Sequence, residues 1–448
     1  MSYCPHSDKE IKEMLDVCGV SSVEELFSDI APDLRPGKLS IEKGKSEFEL
    51  MREMERLAAR CPAPGISFTG GGFYDHFIPS AVDALSQMSG FLTSYTPYQS
   101  ECSQGTLQAL YEYQTAVCRL TGMDASNASV YDGGTALTEG IMMAARKTGR
   151  RKIVIDACVN PLYRDIVRTY FGGNDFDVVQ IPPLNCGMDR DRFKAALDGG
   201  TAAAVIQNPN FFGTADDYSD VVKAAHSAGA LAVGSFYPVA LALLKSPGEA
   251  GFDIATGEGQ SLGMPLSFGG PYLGYIASSA ALARNLPGRI AGATTDEKGR
   301  GGFVLTLQAR EQHIRRERAS SNICSNQNLC ALRALIYLSL LGKNGLAEIA
   351  SLCRDKSEYA KELLAEIPGL KIKNKSATFN EFVFETDFPA RTLLDGMAKQ
   401  GIAGGIDLGA FYKEHGKSVL ISFTEKNRKE DIDLFAGKLK EFLRKEIR

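Results

Sequence analysis

Between residues 128 and 234, short apolar runs alternate with longer stretches whose apolar residues recur at helical spacing. Ile153-Val154-Ile155 and Ala203-Ala204-Val205-Ile206 have no polar interruption, as a strand covered on both faces requires. The blocks predict a strand over 128–131 and a helix from the Gly133 turn to 147. Strands over 152–156, 177–181, 202–207 and 231–234 follow, with helices over 161–170, 190–197 and 216–228 between them. Strands joined by single helices imply right-handed crossovers and a mainly parallel sheet. The ligand site of such a sheet lies beyond the carboxyl ends of its strands. Asp132, Asn160, Asn208, Tyr237 and Gln260 all fall near those ends.

The flanks read differently. Residues 1–65 predict a helical arm: a helix over 8–17, a second to 27 opened by a Ser21/Glu24 capping box, and an amphipathic helix over 46–60. The last keeps Phe48, Met51, Met54, Leu57 and Ala58 near one face. Residues 66–302 form the large α/β domain, whose tail, 285–302, reads as a Gly-rich charged loop and a boundary. Helices over 306–318, 326–341 and 347–367 follow. Strands over 370–373, 381–385 and 419–423, with helices over 390–399 and from 429, complete a small α+β domain, so that 303–448 form a helical connector and C-terminal domain.

Four stretches carry candidate chemistry. Gly70-Gly71-Gly72 lets backbone approach something closely, and His76 follows among aromatics, where a structural imidazole is commoner than a reacting one. Residues 92–105 mix Tyr95, Tyr98, hydroxyls, amides and Glu101; this composition suits a pocket wall and a packed surface loop equally. Gly133-Gly134-Thr135 at a helix start is a generic anion seat. Residues 251–276 set two apolar strands around the polar turn Gly257-Glu258-Gly259-Gln260-Ser261 and a Gly-rich arch, with no lysine between Lys245 and Lys298.

Composition narrows the partners. A net charge of −4 over 448 residues, with no basic stripe, argues against nucleic acid. No apolar run reads as long enough to cross a bilayer; the longest, 228–244, is broken by Gly229, Gly234, Ser235 and Pro238. Ten scattered cysteines without a C-x-x-C pair read as reduced thiols of a cytoplasmic protein. Five histidines without ligand spacing give no reason to expect a metal.

Three long runs carry a resemblance: YTPYQSECSQGTLQALYEYQTAVCRLTGMDASNASVYDGGTALTEG (95–140), GEGQSLGMPLSFGGPYLGYIA (257–277) and LTLQAREQHIRRERASSNICSNQNL (305–329). They resemble glycine decarboxylase of the glycine cleavage system, and more narrowly the N-terminal subunit of the enzyme where it is split into two chains. The resemblance implies a pyridoxal-phosphate (PLP) transferase-like large domain of fold type I, the aminotransferase type. It implies an oxidoreductase acting on a CH–NH2 donor with a disulfide acceptor: glycine loses CO2 and its aminomethyl group passes to the lipoyl arm of the H-protein. It further implies that PLP and its lysine belong to subunit 2, that this chain is active only in a heteromer with that subunit, usually doubled to a heterotetramer, and that the active site lies at their interface. Gln260 then stands at the lysine position, Gly133-Gly134-Thr135 is a vestigial phosphate turn, and Tyr95, Tyr98 and Glu101 lie beside the shared site. The family usually has Asp where Tyr237 stands. The alternatives are a stand-alone PLP enzyme using another lysine, Lys245 being nearest, and a purely structural scaffold for the partner.

Overall fold

The structure is a computed structural model that describes residues 5–37, 40–61 and 65–446. The chain divides into two compact units, Met1–Ala63 and Pro64–Arg448.

In the first unit, capping boxes open both α-helices. Ser7 and Glu10 open Asp8–Cys18, and Ser46 and Glu49 open Glu47–Ala58. Neither helix buries a residue, and Phe48, Met51, Met54 and Leu57 are exposed. The Ser21/Glu24 box is corrected by one position. Ser22 accepts from the Glu25 amide, the Glu25 carboxylate turns back to Ser21, and Val23–Phe27 is a 3-10 turn.

The second unit is built on a seven-stranded sheet: β1 (Ala125–Ser126), β2 (Lys152–Asp156), β3 (Asp177–Ile181), β4 (Thr201–Asn208), β5 (Leu231–Phe236), β6 (Ile254–Glu258) and β7 (Gly274–Ser278), in the order β1-β7-β6-β5-β4-β2-β3. The block from β6 to β3 is parallel, and β7 runs antiparallel to β6 and β1. Period-2 alternation splits each strand between two cores. Ile153, Ile155, Ala203 and Val205 pack with α2 (Gly133–Thr148) and α3 (Pro161–Phe171); Val154, Ala204 and Ile206 pack with α1 (Gln104–Thr121) and Tyr337 of α4 (Asn328–Ala365).

Several expectations are corrected. The strand over 128–131 is a single bridge, Val130 to Gly274, because Ser129 sits at φ 121°; the edge strand falls earlier, at β1. The supposed loop 285–302 contains half of a hairpin, Ala291–Thr295 against Gly301–Leu305. The helix over 306–318 is broken into short turns by left-handed Leu307 and Arg316, while the Arg310 guanidinium is drawn to the Leu286 and Gly288 carbonyls. The two helices expected over 326–367 are continuous in α4 except at Gly342, φ 57°. By length and composition α4 could cross a membrane, contrary to the expectation that no apolar run is long enough. In the fold it is a kinked core helix that buries Ala331, Ala334, Tyr337 and Cys353.

The C-terminal sheet consists of β8 (Lys371–Ile372), β9 (Glu381–Glu385), β10 (Ile406–Asp407) and β11 (Ser418–Ser422), ordered β8-β9-β11-β10 and antiparallel throughout. Ile66–Ser67 pairs with Ile402–Ala403, which puts Phe68 against Phe423 and Phe435 at ring separations of 5.3 and 4.9 Å. The chain thus starts in the C-terminal layer and must cross to the large sheet, and that crossing passes over the strand ends. Phe68→Ala should lower stability by about 3–5 kcal/mol, read as a shifted denaturation midpoint, because Phe68 is fully buried against the likewise buried rings of Phe423 and Phe435, and its removal leaves a cavity between them. A shift under about 1 kcal/mol would show that the layers are not joined there.

Candidate functional site

The crossing segment, residues 70–77, lies over the carboxyl ends of β4, β5 and β6. It begins at the three glycines. Gly71 donates to Glu381 Oε1 at 2.6 Å, its carbonyl accepts from Asn160 Nδ2 at 3.0 Å, and Gly71 and Gly72 have φ of 78° and 110°. A Cβ at Gly70 would strike the Glu381 carboxylate and Ser422, so the close approach requires glycine.

Tyr74 is held on three sides. Its hydroxyl donates to Glu381 Oε2 at 2.7 Å. Its amide donates to Gln260 Oε1 at 2.9 Å, and its carbonyl accepts from Gln260 Nε2 at 3.0 Å. The other Nε2 proton goes to the Met264 carbonyl at 2.8 Å. Gln260, buried just beyond β6, therefore spends its whole amide on main chain. The Tyr74 ring lies 4.5 Å from that of Tyr237, which follows β5. His76 pairs through Nδ1 with Glu425 Oε2 at 2.6 Å and through Nε2 with the Tyr237 hydroxyl, while Phe77 donates its amide to Glu425 Oε1 at 2.6 Å.

At the other end of the site the Glu258 carboxylate accepts from Gly133 (2.9 Å), Gln260 (2.9 Å) and Leu273 (3.0 Å) amides. The space left among Gly72, Tyr74, Asn160, Tyr163, Gln207, Tyr237 and Glu258 is about 30 Å³. That is about one water's share of liquid volume, against the roughly 300 Å³ or more of an ordinary ligand pocket.

Electrostatics follows burial. Desolvation pushes Glu258 up to about 7, with Asp132 adding and the three amides pulling back. It pushes Glu381 to about 7 against the Gly71 amide and the Tyr74 hydroxyl. Burial acts on Glu425 in the same sense, but the hydrogen bond and charge of His76 and the Phe77 amide outweigh it and hold this carboxyl below its ordinary value. Burial, together with Cys353, Tyr74 and Glu425, drives the Tyr237 phenol well above its ordinary range.

The residues singled out from sequence separate into two groups. His76, Tyr237, Gln260 and the Gly133 turn meet in this site. Tyr98 is half-buried elsewhere: its hydroxyl donates to Asn326 Oδ1 at 2.6 Å and Arg289 lies 5.1 Å over its ring. Tyr95 is 93% exposed, and Glu101 is exposed. Gly134 and Thr135 open α2, where Asp132 caps the Thr135 amide at 2.8 Å. Lys245 faces outward, donating to Ser219 at 3.0 Å and pairing with Asp217 at 3.6 Å.

Sequence spacing missed the holders. Glu381 and Glu425 lie more than 300 residues from their partners, and nothing local marks them. Glu258 had a signal, a glutamate ending an apolar strand. His76, Cys353 and Glu425 bring three metal-capable donors within 4.8 Å of one another, which no sequence motif announced. These donors are already bonded among themselves, since Glu425 Oε2 takes both the imidazole and the Cys353 thiol (3.6 Å). PLP does not fit the residues present. Gln260 cannot form an imine, the space beside Tyr74 and Tyr237 is only about 30 Å³, and the Gly133 amide is already taken by Glu258.

A family model described as glycine cleavage system P-protein matches residues 1–438. A probable glycine dehydrogenase (decarboxylating) subunit 1 of Geotalea uraniireducens is 53% identical, over 98% of this chain and 99% of its own length. The corresponding protein of Geotalea daltonii is 54% identical over the same shares. A crystal structure of glycine decarboxylase (P-protein) of the glycine cleavage system, in inhibitor-bound form, superposes with a TM-score of 0.92 at 40% identity, covering 98% of this chain and 100% of that one. A Burkholderia pseudomallei sphingosine-1-phosphate lyase, at 17% identity and TM-score 0.65, shares the fold alone, which is the fold type I expected from the sequence.

The two raised carboxyls make stability pH-dependent. Each holds in the folded chain a proton that the unfolded chain releases near 4.5, so the contribution of these two groups to stability is fully present below that value and is lost as pH rises from about 4.5 to about 7. Glu381→Gln cannot titrate. Its denaturation midpoint should fall less steeply across that window, by up to about 1.4 kcal/mol per pH unit, leaving the Glu258 share. Parallel curves for the two proteins would place the titration elsewhere.

Proposed function

Because the chain belongs to the glycine cleavage system P-protein family, we propose that it is the subunit of a two-chain glycine decarboxylase that does not carry PLP. The cofactor and its lysine belong to the partner subunit. Together the two chains release CO2 from glycine and pass the aminomethyl group to the lipoyl arm of the H-protein. The observation that carries this reading is Gln260: the residue at the lysine position is an amide with its oxygen and both protons committed to the main chain of Tyr74 and Met264. The stand-alone reading through Lys245 loses its support, since that ammonium is engaged at the surface by Asp217 and Ser219. The described cysteines are all unpaired, which supports a cytoplasmic enzyme.

What this chain brings to the shared site is on its surface. We assign Tyr95 and Glu101 to the entrance shared with the partner, because their side chains are free to reach another molecule. Tyr98, tied to Asn326, fixes the loop between them. His76, buried and engaged at both ring nitrogens, positions the crossing segment.

Two experiments test this. The purified full chain should show no PLP absorbance and no glycine decarboxylation, and should gain the activity on forming a stable heteromer with a lysine-bearing relative. A PLP band trapped by borohydride and mapped to Lys245 would reverse the assignment. In that heteromer Glu101→Gln should lower glycine decarboxylation about 10²-fold, the scale of a proton-handling carboxylate, with elution volume unchanged. Activity near wild type, or loss only with loss of assembly, would remove Glu101 from the site.

A further inference from the structure

His76, Cys353 and Glu425 reach one point from three parts of the chain: the crossing segment, α4 beyond its kink at Gly342, and the loop after β11. Their donor atoms, an imidazole nitrogen, a thiol sulfur and a carboxylate oxygen, lie within 4.8 Å of one another, with His76 and Cys353 buried and Glu425 nearly so. Sulfur, nitrogen and oxygen donors together form a zinc ligand set. Donors around a tetrahedral zinc stand about 3.3–3.8 Å apart. Cys353 Sγ and Glu425 Oε2 already do, at 3.6 Å. His76 Nδ1 and Glu425 Oε2, at 2.6 Å, need to part by only about 0.8 Å. The supports that orient ligands around a metal are also present. Tyr237 holds the far nitrogen of His76, and the Phe77 amide holds the other carboxylate oxygen at 2.6 Å. The Lys356 ammonium is spent on the Glu425 carbonyl, which leaves the imidazole as the carboxylate's salt-bridge partner among the described residues.

A second observation points to the same place. The Tyr337 hydroxyl is fully buried and has no hydrogen-bond partner among the described residues. Burial, with Glu425 and Cys353 adding, pushes its phenol above the ordinary range, so it stands beside the cluster. A buried hydroxyl without a partner calls for a further polar atom next to it. We propose that His76, Cys353 and Glu425 bind one zinc ion, with a water as fourth ligand facing the Tyr337 hydroxyl. Two positive charges enter and two protons leave, one from the Cys353 thiol and one from the His76–Glu425 pair, so the buried cluster keeps its charge. The ion then ties the crossing segment to α4 and to the C-terminal layer. This inference does not rest on which subunit carries the cofactor.

The test uses the full chain, with zinc and cobalt(II) as probes. Protein loaded with zinc and freed of excess should retain about one ion per chain. Cobalt(II) in its place should give a sulfur-to-metal charge-transfer band. Cys353→Ser should abolish that band and lower zinc affinity by more than the roughly 10–100-fold that loss of a supporting partner costs. An anomalous-scattering map at the zinc edge, from crystals of the loaded chain, should place the ion against His76, Cys353 and Glu425. Zinc far below one per chain, a thiolate band that survives Cys353→Ser, or zinc on surface side chains only overturns the proposal and leaves a hydrogen-bonded cluster. If Cys353→Ser does not fold, the wild-type map decides.

Discussion

The site depends on one side-chain amide. A parallel sheet with helices on both faces leaves a crevice beyond its strand ends, and in this chain the main chain itself runs through that crevice. A peptide buried there needs a partner for its N–H and another for its C=O, at about 1–3 kcal/mol for each group left unsatisfied. Gln260 supplies both to Tyr74 and uses its remaining proton on Met264. A lysine there could only donate, and a glutamate when ionised could only accept. The side chain that removes imine chemistry from this position is also the one that closes the crevice with the chain's own backbone.

The acids around the segment show what the closed interior costs. Glu258 and Glu381 are buried on main-chain amides and a phenol, and desolvation lifts both to about 7. Glu425 is buried less deeply and faces an imidazole, and it goes the other way. Lys356 is near Glu425 but spends its ammonium on the Glu425 carbonyl rather than the carboxylate. The strand ends therefore carry acid on every side with one imidazole among it. Among the described residues this interior is held mainly by hydrogen bonds to main chain and phenol, with the His76–Glu425 pair as a charged contact within it.

How much of this was legible follows from range. The apolar strands announced themselves, because burial on both faces leaves no polar interruption, and the missing lysine could be read by inspection. The first strand of the hairpin, Ala291–Thr295, could not be read, since its residues are small or hydroxylic and gain strand character only by pairing with Gly301–Leu305. The failed helix over 306–318 had suitable composition and was overridden by tertiary bonds to Arg310. The clamp on residues 70–77 was invisible because Glu381 and Glu425 come from the C-terminal layer, and the pairing of Ile66–Ser67 with Ile402–Ala403 that leads the segment out of that layer is itself long-range. His76 read as a structural imidazole; the groups that engage it, Glu425 and Tyr237, were beyond any local pattern.

A filled interior moves function outward. The space of about 30 Å³ beside Tyr74, Tyr237 and Glu258 is too small for a ligand, so whatever this chain offers another molecule on that side comes from its loops. The Gly-rich arch after Gln260 illustrates the point. Ser267, Phe268, Gly269 and Gly270 all have positive φ, and Phe268 is fully exposed. A non-glycine residue in that region costs about 1–3 kcal/mol, and an aromatic ring in water returns nothing to the isolated chain. Neither the conformation nor the side chain is explained by the stability of this fold. Both are accounted for if the arch, like the Tyr95–Glu101 loop, is completed by the surface of the partner subunit. The strain is then the cost of holding an anchor in place before the partner arrives.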